Sequence, residues 1–117
     1  MSRLEVRLLG ETDVRRDGQL LVFPTKKVKE LFAYLVTYHD RAHSRASLIE
    51  LLWSEHDEAK AKANFRKALS LLRSLLGPEP WLKTAGNDVR FEATAGSCWI
   101  DLEEFEQLLT SIEINLS

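Results

Sequence analysis

Asp57-Glu58-Ala59-Lys60-Ala61-Lys62-Ala63-Asn64-Phe65-Arg66-Lys67-Ala68-Leu69-Ser70-Leu71-Leu72-Arg73-Ser74-Leu75-Leu76-Gly77 is the stretch on which the fold turns. Ala, Leu, Lys and Arg, all strong helix formers, fill most of it. Asp57 offers a side-chain oxygen to cap the first turn, and Gly77 followed by Pro78 stops the helix. Phe65, Leu69, Leu72 and Leu76 recur at helical spacing with Ala61 and Ala68 beside them, so one face belongs to a core. The other face carries Lys60, Asn64, Lys67 and Ser74 in one row and Lys62, Arg66, Ser70 and Arg73 in the next. From Lys60 to Leu76 there are five cations and no acid. A helix of this kind suits a polyanion, but a basic face is also an ordinary solvated surface. The neighbouring elements decide between the two.

Upstream, Arg3 to Leu9 alternates, with Leu4, Val6 and Leu8 on one side and Arg3, Glu5 and Arg7 on the other, the pattern of a half-buried strand. Thr12 to Arg16 reads as a second strand, Asp17-Gly18 as a hairpin turn, and Leu20 to Phe23 as a third strand ended by Pro24. Residues 3–23 are therefore expected to form a small antiparallel sheet. Thr25 caps a helix expected from Lys26 to about His39, whose apolar set is Val28, Leu31, Phe32, Leu35 and Val36. After the turn Asp40-Arg41-Ala42-His43, Ser44 caps a short helix carrying Leu48, Ile49, Leu52 and Trp53. The loop Ser54-Glu55-His56-Asp57 then leads into the basic helix. Two helices joined by a short turn, the second of them basic, are the minimum of a helix-turn-helix.

Downstream, Pro78-Glu79-Pro80 is a stiff connector. Trp81 to Thr84 and Val89 to Phe91 read as a hairpin around Ala85-Gly86-Asn87-Asp88, with Cys98-Trp99-Ile100 as a candidate further strand. Asp101 and Glu104 mark a last helix start, followed by the stripe Leu102, Phe105, Leu108 and Leu109. Sheet, three helices and hairpin make an α+β winged helix-turn-helix. In that arrangement the third helix enters the major groove of DNA and the hairpin tip reaches the flanking backbone or minor groove.

The totals restrict the alternatives. A chain of 117 residues with 44% hydrophobic and 29% charged residues has the size and composition of one globular domain. It has no run long enough to span a bilayer, and its start lacks the apolar core of a signal peptide. The single Cys98 excludes an internal disulfide and suits a reducing cytoplasm. The net charge of −2 hides a gradient: residues 41–90 hold nine Lys or Arg and six Asp or Glu, while residues 91–117 hold none and six. An acidic terminal segment is expected to sit away from DNA, its stripe docked on the sheet or on a second copy of the chain. No phosphate loop, nucleophile elbow or zinc-protease motif is present, so no enzyme activity, cofactor, metal or small-molecule substrate is expected. His39 and His43 are four residues apart but separated by a turn. His56 reads as a loop residue, and Cys98 beside Trp99 as a packed thiol.

Arg fits guanine bidentately and Asn fits adenine, so Asn64, Arg66, Lys67 and Ser70 are the expected base readers. Lys60, Lys62 and Arg73 suit phosphates, and Arg41, Ser44 and Arg45 offer a second backbone clamp at a helix start. Lys83, Asn87 and Arg90 are the expected wing contacts. Trp53, Phe32 and Phe65 are expected in the core.

Five blocks also carry a family resemblance: Leu4-Glu5-Val6-Arg7-Leu8-Leu9-Gly10, Phe23-Pro24-Thr25-Lys26-Lys27-Val28, Leu51-Leu52-Trp53, Ala63 to Arg73, and Ile100-Asp101-Leu102-Glu103-Glu104-Phe105. Together they resemble the amino-terminal, OmpR-like winged-helix domain of the AfsR/SARP-type bacterial transcriptional activators, from about Leu4 to Leu109. Ser54 departs from the family, which commonly has proline after the tryptophan. The wing turn is also less glycine-rich than usual. The resemblance implies a winged-helix domain over residues 1–100, followed at 101–117 by the first helix of a truncated bacterial transcriptional activation domain. It further implies head-to-tail binding on direct repeats of double-stranded DNA by two copies. RNA polymerase would be contacted through the loop Ser54, Glu55, His56, Asp57 and Glu58. The rival class is a winged helix used only for protein contact, which would have no need of the acid-free face.

Overall fold

Leu4 and Val6 are fully buried on β1 (Arg3–Arg7) while Arg3 and Arg7 are exposed, as the alternation requires. This is a computed structural model; it describes the backbone of residues 3–116 and the side chains of residues 3–112. β1 pairs antiparallel with β2 (Asp13–Arg16), Val6 opposite Val14. Asp17 and Gly18, with φ of 52° and 84°, form the two-residue turn to β3 (Gln19–Leu20). Positive φ at both centres gives a hairpin turn the twist its strands need. The third strand is shorter than expected from Leu20–Phe23. After Leu21 donates to the Val14 carbonyl at 2.8 Å the chain leaves the sheet, and Leu21 and Phe23 pack against the core instead.

The sheet is not purely antiparallel. β7 (Ser97–Ile100) lies parallel to β1, with Leu4 opposite Cys98 and Val6 opposite Ile100, giving the order β3-β2-β1-β7. The remaining elements close the domain. α1 (Lys26–Thr37) starts where the Thr25 hydroxyl accepts from the Val28 amide at 3.1 Å, and ends two residues before His39, with Tyr38 at its C-cap. α2 (Arg45–Trp53) is capped by Ser44, which accepts from the Ser47 amide at 3.1 Å. α3 (Glu58–Leu76) is capped by Asp57, which accepts from the Lys60 amide at 2.8 Å. These caps satisfy amides that a helix start leaves without partners.

β5 (Leu82–Ala85) and β6 (Asp88–Phe91) form the wing, and β4 (His43–Ser44) adds a third strand to it, His43 opposite Val89. The turn is two residues rather than four, because Ala85 pairs with Asp88; Gly86 takes its positive φ of 61°. A single 3-10 turn, Ala93–Ala95, leads on to β7. His43, at the end of the expected turn, is buried; its Nε2 lies 2.9 Å from the Tyr38 carbonyl.

The core lies where the helices meet the two sheets. Trp53 meets Phe65 edge-on at 6.0 Å, Phe32 meets Phe91 edge-on at 5.8 Å, and Trp81 stacks on Phe91 at 5.9 Å. Trp53, Phe32 and Phe65 are all buried. Two distant cations finish helices: Arg16 donates from Nη1 to the Leu75 carbonyl at 2.7 Å, and Lys27 from Nζ to the Leu52 carbonyl at 2.6 Å. Gly77 is favoured by its backbone conformation. Its φ is 89°, and a Cβ there would come within 2.6 Å of Arg16 Nη1.

α4 (Asp101–Leu116) follows β7 directly. The Asp101 carboxylate accepts from the Leu8 and Leu9 amides at 2.8 and 3.2 Å, the Glu104 carboxylate accepts from Trp99 Nε1 at 3.1 Å, and Glu103 meets the His39 ring. The Arg7 guanidinium lies 5.5 Å above Trp99. Of the stripe expected to dock on the sheet or on a second copy of the chain, Leu102 packs against the domain. Phe105, Leu108, Leu109 and Ile112 are exposed, at 44–59% of their surface, because the helix leaves the sheet after its first turn. The Glu113 side chain lies outside the described residues.

Candidate nucleic-acid interface

α3 buries Ala61, Phe65, Ala68, Leu69, Leu72 and Leu76, and this fixes which side it turns outward. Lys60, Lys62, Arg66, Lys67, Ser70 and Arg73 are exposed on it, and Asn64 is half-buried. The start of α2 and the tip of the wing flank this face. The Arg45 amide donates to the Asn87 carbonyl at 2.8 Å, and β4 pairs Ser44 with Asp88, so helix start and wing tip form one backbone unit. The Arg45 guanidinium then crosses toward α3 and sits 5.8 Å above the Phe65 ring.

The result is a groove of about 470 Å³ lined by Ser44, Arg45, Ala46, Ile49, Lys62, Phe65, Arg66 and Asn87. A smaller cleft of about 270 Å³ lies along the same helix face, between Arg45, Arg66, Leu69, Ser70, Arg73 and Thr84. Ser44, Arg45, Lys62, Arg66, Ser70, Arg73 and Asn87, singled out in three separate stretches, thus meet along one surface. Its charge is positive and its floor is apolar. The start of the nine-residue α2 adds the partial positive charge of its amides. Lys62 is held at 2.9 Å by Glu58 one turn earlier, and this contact keeps the Glu58 carboxyl below the usual carboxylate range. Both side chains are largely exposed, so the pair is weak and Lys62 can exchange Glu58 for another anion.

Other expected residues fall elsewhere. Lys83 and Arg90 face each other across β5 and β6, on the side opposite buried Leu82, Val89 and Phe91, and so turn away from α3. Lys83 lies 4.0 Å from Glu92. Arg41 pairs with Asp40 at 3.2 Å and lies 5.3 Å above the Tyr38 ring, outside both clefts. The hydrogen bond and charge of Arg41 lower the Asp40 carboxyl, and Asp40 raises Arg41 in turn. Lys60 and Lys67 are on α3 but line neither cleft. Ser54 and Glu55 are exposed in the α2–α3 connection, while Asp57 serves as cap and Glu58 already belongs to α3. Thr84 and Ala46 were not singled out in the sequence, and Ile49 was read only as part of the apolar set of α2. Only the alternation of β5, which puts Thr84 on the side of Leu82, signals any of them.

Among the described residues no group of three or more His, Cys, Asp or Glu is placed to hold a metal, and no helix is long and apolar enough to cross a membrane. His39 and His43 have separate partners, Glu103 and the Tyr38 carbonyl. Burial pushes the Cys98 thiol up to about 12, so it stays protonated and unreactive near neutrality.

In comparison with solved structures, the chain is similar to Mycobacterium tuberculosis EmbR, determined in complex with a low-affinity phosphopeptide. The TM-score is 0.71 and the identity 30%, over 84% of this chain and 27% of EmbR. The chain thus spans much less than two thirds of that protein's length. No protein-family model and no curated protein matches it.

Proposed function

Because the chain is an OmpR-like winged-helix domain of the SARP regulator type, as in EmbR, we propose that it binds double-stranded DNA sequence-specifically in a bacterial transcription regulator. One observation carries this reading: the start of α2, the wing tip and the basic outer face of α3 meet along one surface, with Arg45, Lys62, Arg66 and Arg73 on it. α3 enters the major groove. Asn64, Arg66, Lys67 and Ser70 read base edges, and Lys60, Lys62 and Arg73 hold phosphates. Ser44 and Arg45 clamp the backbone beside Asn87 at the wing tip. Arg41, Lys83 and Arg90 act more remotely, by charge alone, on flanking phosphates.

Finer parts of the proposal rest on the family. The regulator is an activator working in the cytoplasm, with two copies bound head to tail on direct repeats. The connection from Ser54 to Glu58 faces RNA polymerase, and residues 101–117 open a following activation domain after a winged helix spanning 1–100. Selection of bound sequences from a random duplex pool tests the central claim. The expected outcome is an enriched motif bound on the order of 10³ times more tightly than scrambled duplex. Binding with no enrichment, and a salt slope equal for all sequences, would contradict it.

A further inference from the structure

Lys60 to Leu76 contains no acid, but one carboxylate stands at the edge of the basic face. Glu58 is the first residue of α3 and shares a row with Lys62 and Arg66, at i, i+4 and i+8. With Ala59 the three line a recess of about 440 Å³, which adjoins the groove at Lys62 and Arg66. Among the described residues its polar partner is Lys62, at 2.9 Å, so the carboxylate is turned along α3 and not back toward the connection before it. The hydrogen bond and charge of Lys62 lower its carboxyl, which is therefore ionised at neutral pH. With 83% of its side chain exposed, nothing resists an exchange of partners.

A carboxylate here is costly beside most of what a duplex presents. Phosphates are anions, and guanine N7 and O6, adenine N7 and thymine O4 are all acceptors. The exocyclic amines alone offer a proton, and cytosine N4 is the one with no acceptor beside it on the same base edge. When Lys62 leaves Glu58 for a phosphate, the freed carboxylate is compensated opposite cytosine and repelled elsewhere. Residues at the start of a recognition helix are the ones that reach base edges.

Resting on the reading of α3 as the helix in the major groove, we propose that Glu58 is a further specificity-determining residue. It accepts from the N4 amine of one cytosine while Lys62 turns from Glu58 to a phosphate. The acid works by exclusion as well as by contact, because it lowers affinity for every duplex that lacks cytosine at that position. This assignment takes Glu58 out of the connection that faces RNA polymerase, which then ends at Asp57.

Parallel selections from one random duplex pool with the parent chain and Glu58→Ala, followed by anisotropy titrations over a salt series, test the assignment. The parent enriches a motif with a C·G pair at one position, and changing that pair costs on the order of tenfold in affinity. Glu58→Ala keeps the rest of the motif and loses the preference at that pair. It also binds scrambled duplex more tightly, with a salt slope steeper by about 0.9, the share of one cation no longer offset. The substituted side chain is exposed, so the melting temperature stays near the parent's. A Glu58→Ala variant that enriches the parent's motif unchanged overturns the proposal and leaves the DNA reading standing. So does a loss of preference at an A·T pair. Tighter binding to every duplex with the motif intact overturns it as well, since Glu58 is then a general repulsive charge. A parent chain that enriches no motif refutes the DNA reading, and this assignment with it.

Discussion

α3 and α4 are both amphipathic helices with a Leu/Phe stripe, and the structure treats them in opposite ways. α3 buries its stripe against α1 and α2 and turns its cations outward; α4 is held by its first turn and leaves its stripe exposed from Phe105 on. The difference is in what surrounds them. α3 is fixed at both ends, by Asp57 at its start and Arg16 at its finish, and its Phe65 lies against Trp53. For α4 the described contacts are Asp101, Glu103, Glu104 and Leu102, all in the opening turn. Periodicity therefore reports that a face wants burial, while tertiary neighbours decide whether it is buried.

Substitution in the two stripes should separate them most strongly. Phe65→Ala or Trp53→Ala should destabilise by about 3–5 kcal/mol in urea denaturation, the range for emptying a large aromatic site. Phe105→Ala should change stability by no more than about 0.5 kcal/mol. Equal losses would mean that α4 packs on the domain in solution.

On the outer faces the expected effects are smaller and appear in binding. Arg66→Ala should cost about 1–3 kcal/mol on the selected duplex and relax preference at one base pair. Lys60→Ala should weaken all duplexes alike and reduce the salt slope by about 1. Fluorescence anisotropy across a salt series distinguishes the two.

The first turn of α4 supplies the next comparison. Asp101→Ala removes the acceptor for two backbone amides and should cost about 1–2 kcal/mol. Hydrogen exchange should accelerate over α4 and leave α3 unchanged.

The smallest effect concerns Cys98, at the foot of α4. Burial raises its folded-state pKa from 9.0 to about 12, favouring the neutral thiol. Its contribution to stability is therefore complete below pH 9 and is lost as pH climbs from 9.0 toward about 12. Alkylation at pH 8 should be slow in the folded chain and fast in denaturant; rapid alkylation of the folded chain would show an open thiol.

Much of this was legible in the sequence, because it is local. Thr25, Ser44 and Asp57 cap the helices they were expected to cap, and the stripe of α3 fixed the core side of that helix. What the sequence does not show is non-local or too short for a pattern. β4 is two residues long and carries no periodicity, yet it ties the wing to α2. The pairing of β1 with β7 joins Arg3 to Ser97, and neither strand announces its partner. Arg16 and Lys27 read as ordinary surface cations until the ends of α3 and α2 come near them. At the candidate interface the alternation of β5 and β6 could have turned Lys83 and Arg90 away from α3, had the two-residue turn been recognised. The seat of Arg45 on Phe65 could not have been read, since it depends on how α2 crosses α3.

The central claim, that the outward face of α3 reads DNA, is tested most directly by replacing Asn64, Arg66, Lys67 and Ser70 together with Ala and titrating the selected duplex. All four lie off the buried stripe, so the melting temperature should stay near that of the parent chain. The account predicts that preference for the selected duplex over scrambled DNA, on the order of 10³-fold in the parent, collapses toward one. A folded quadruple variant that binds the selected duplex as tightly and as selectively as the parent would contradict it.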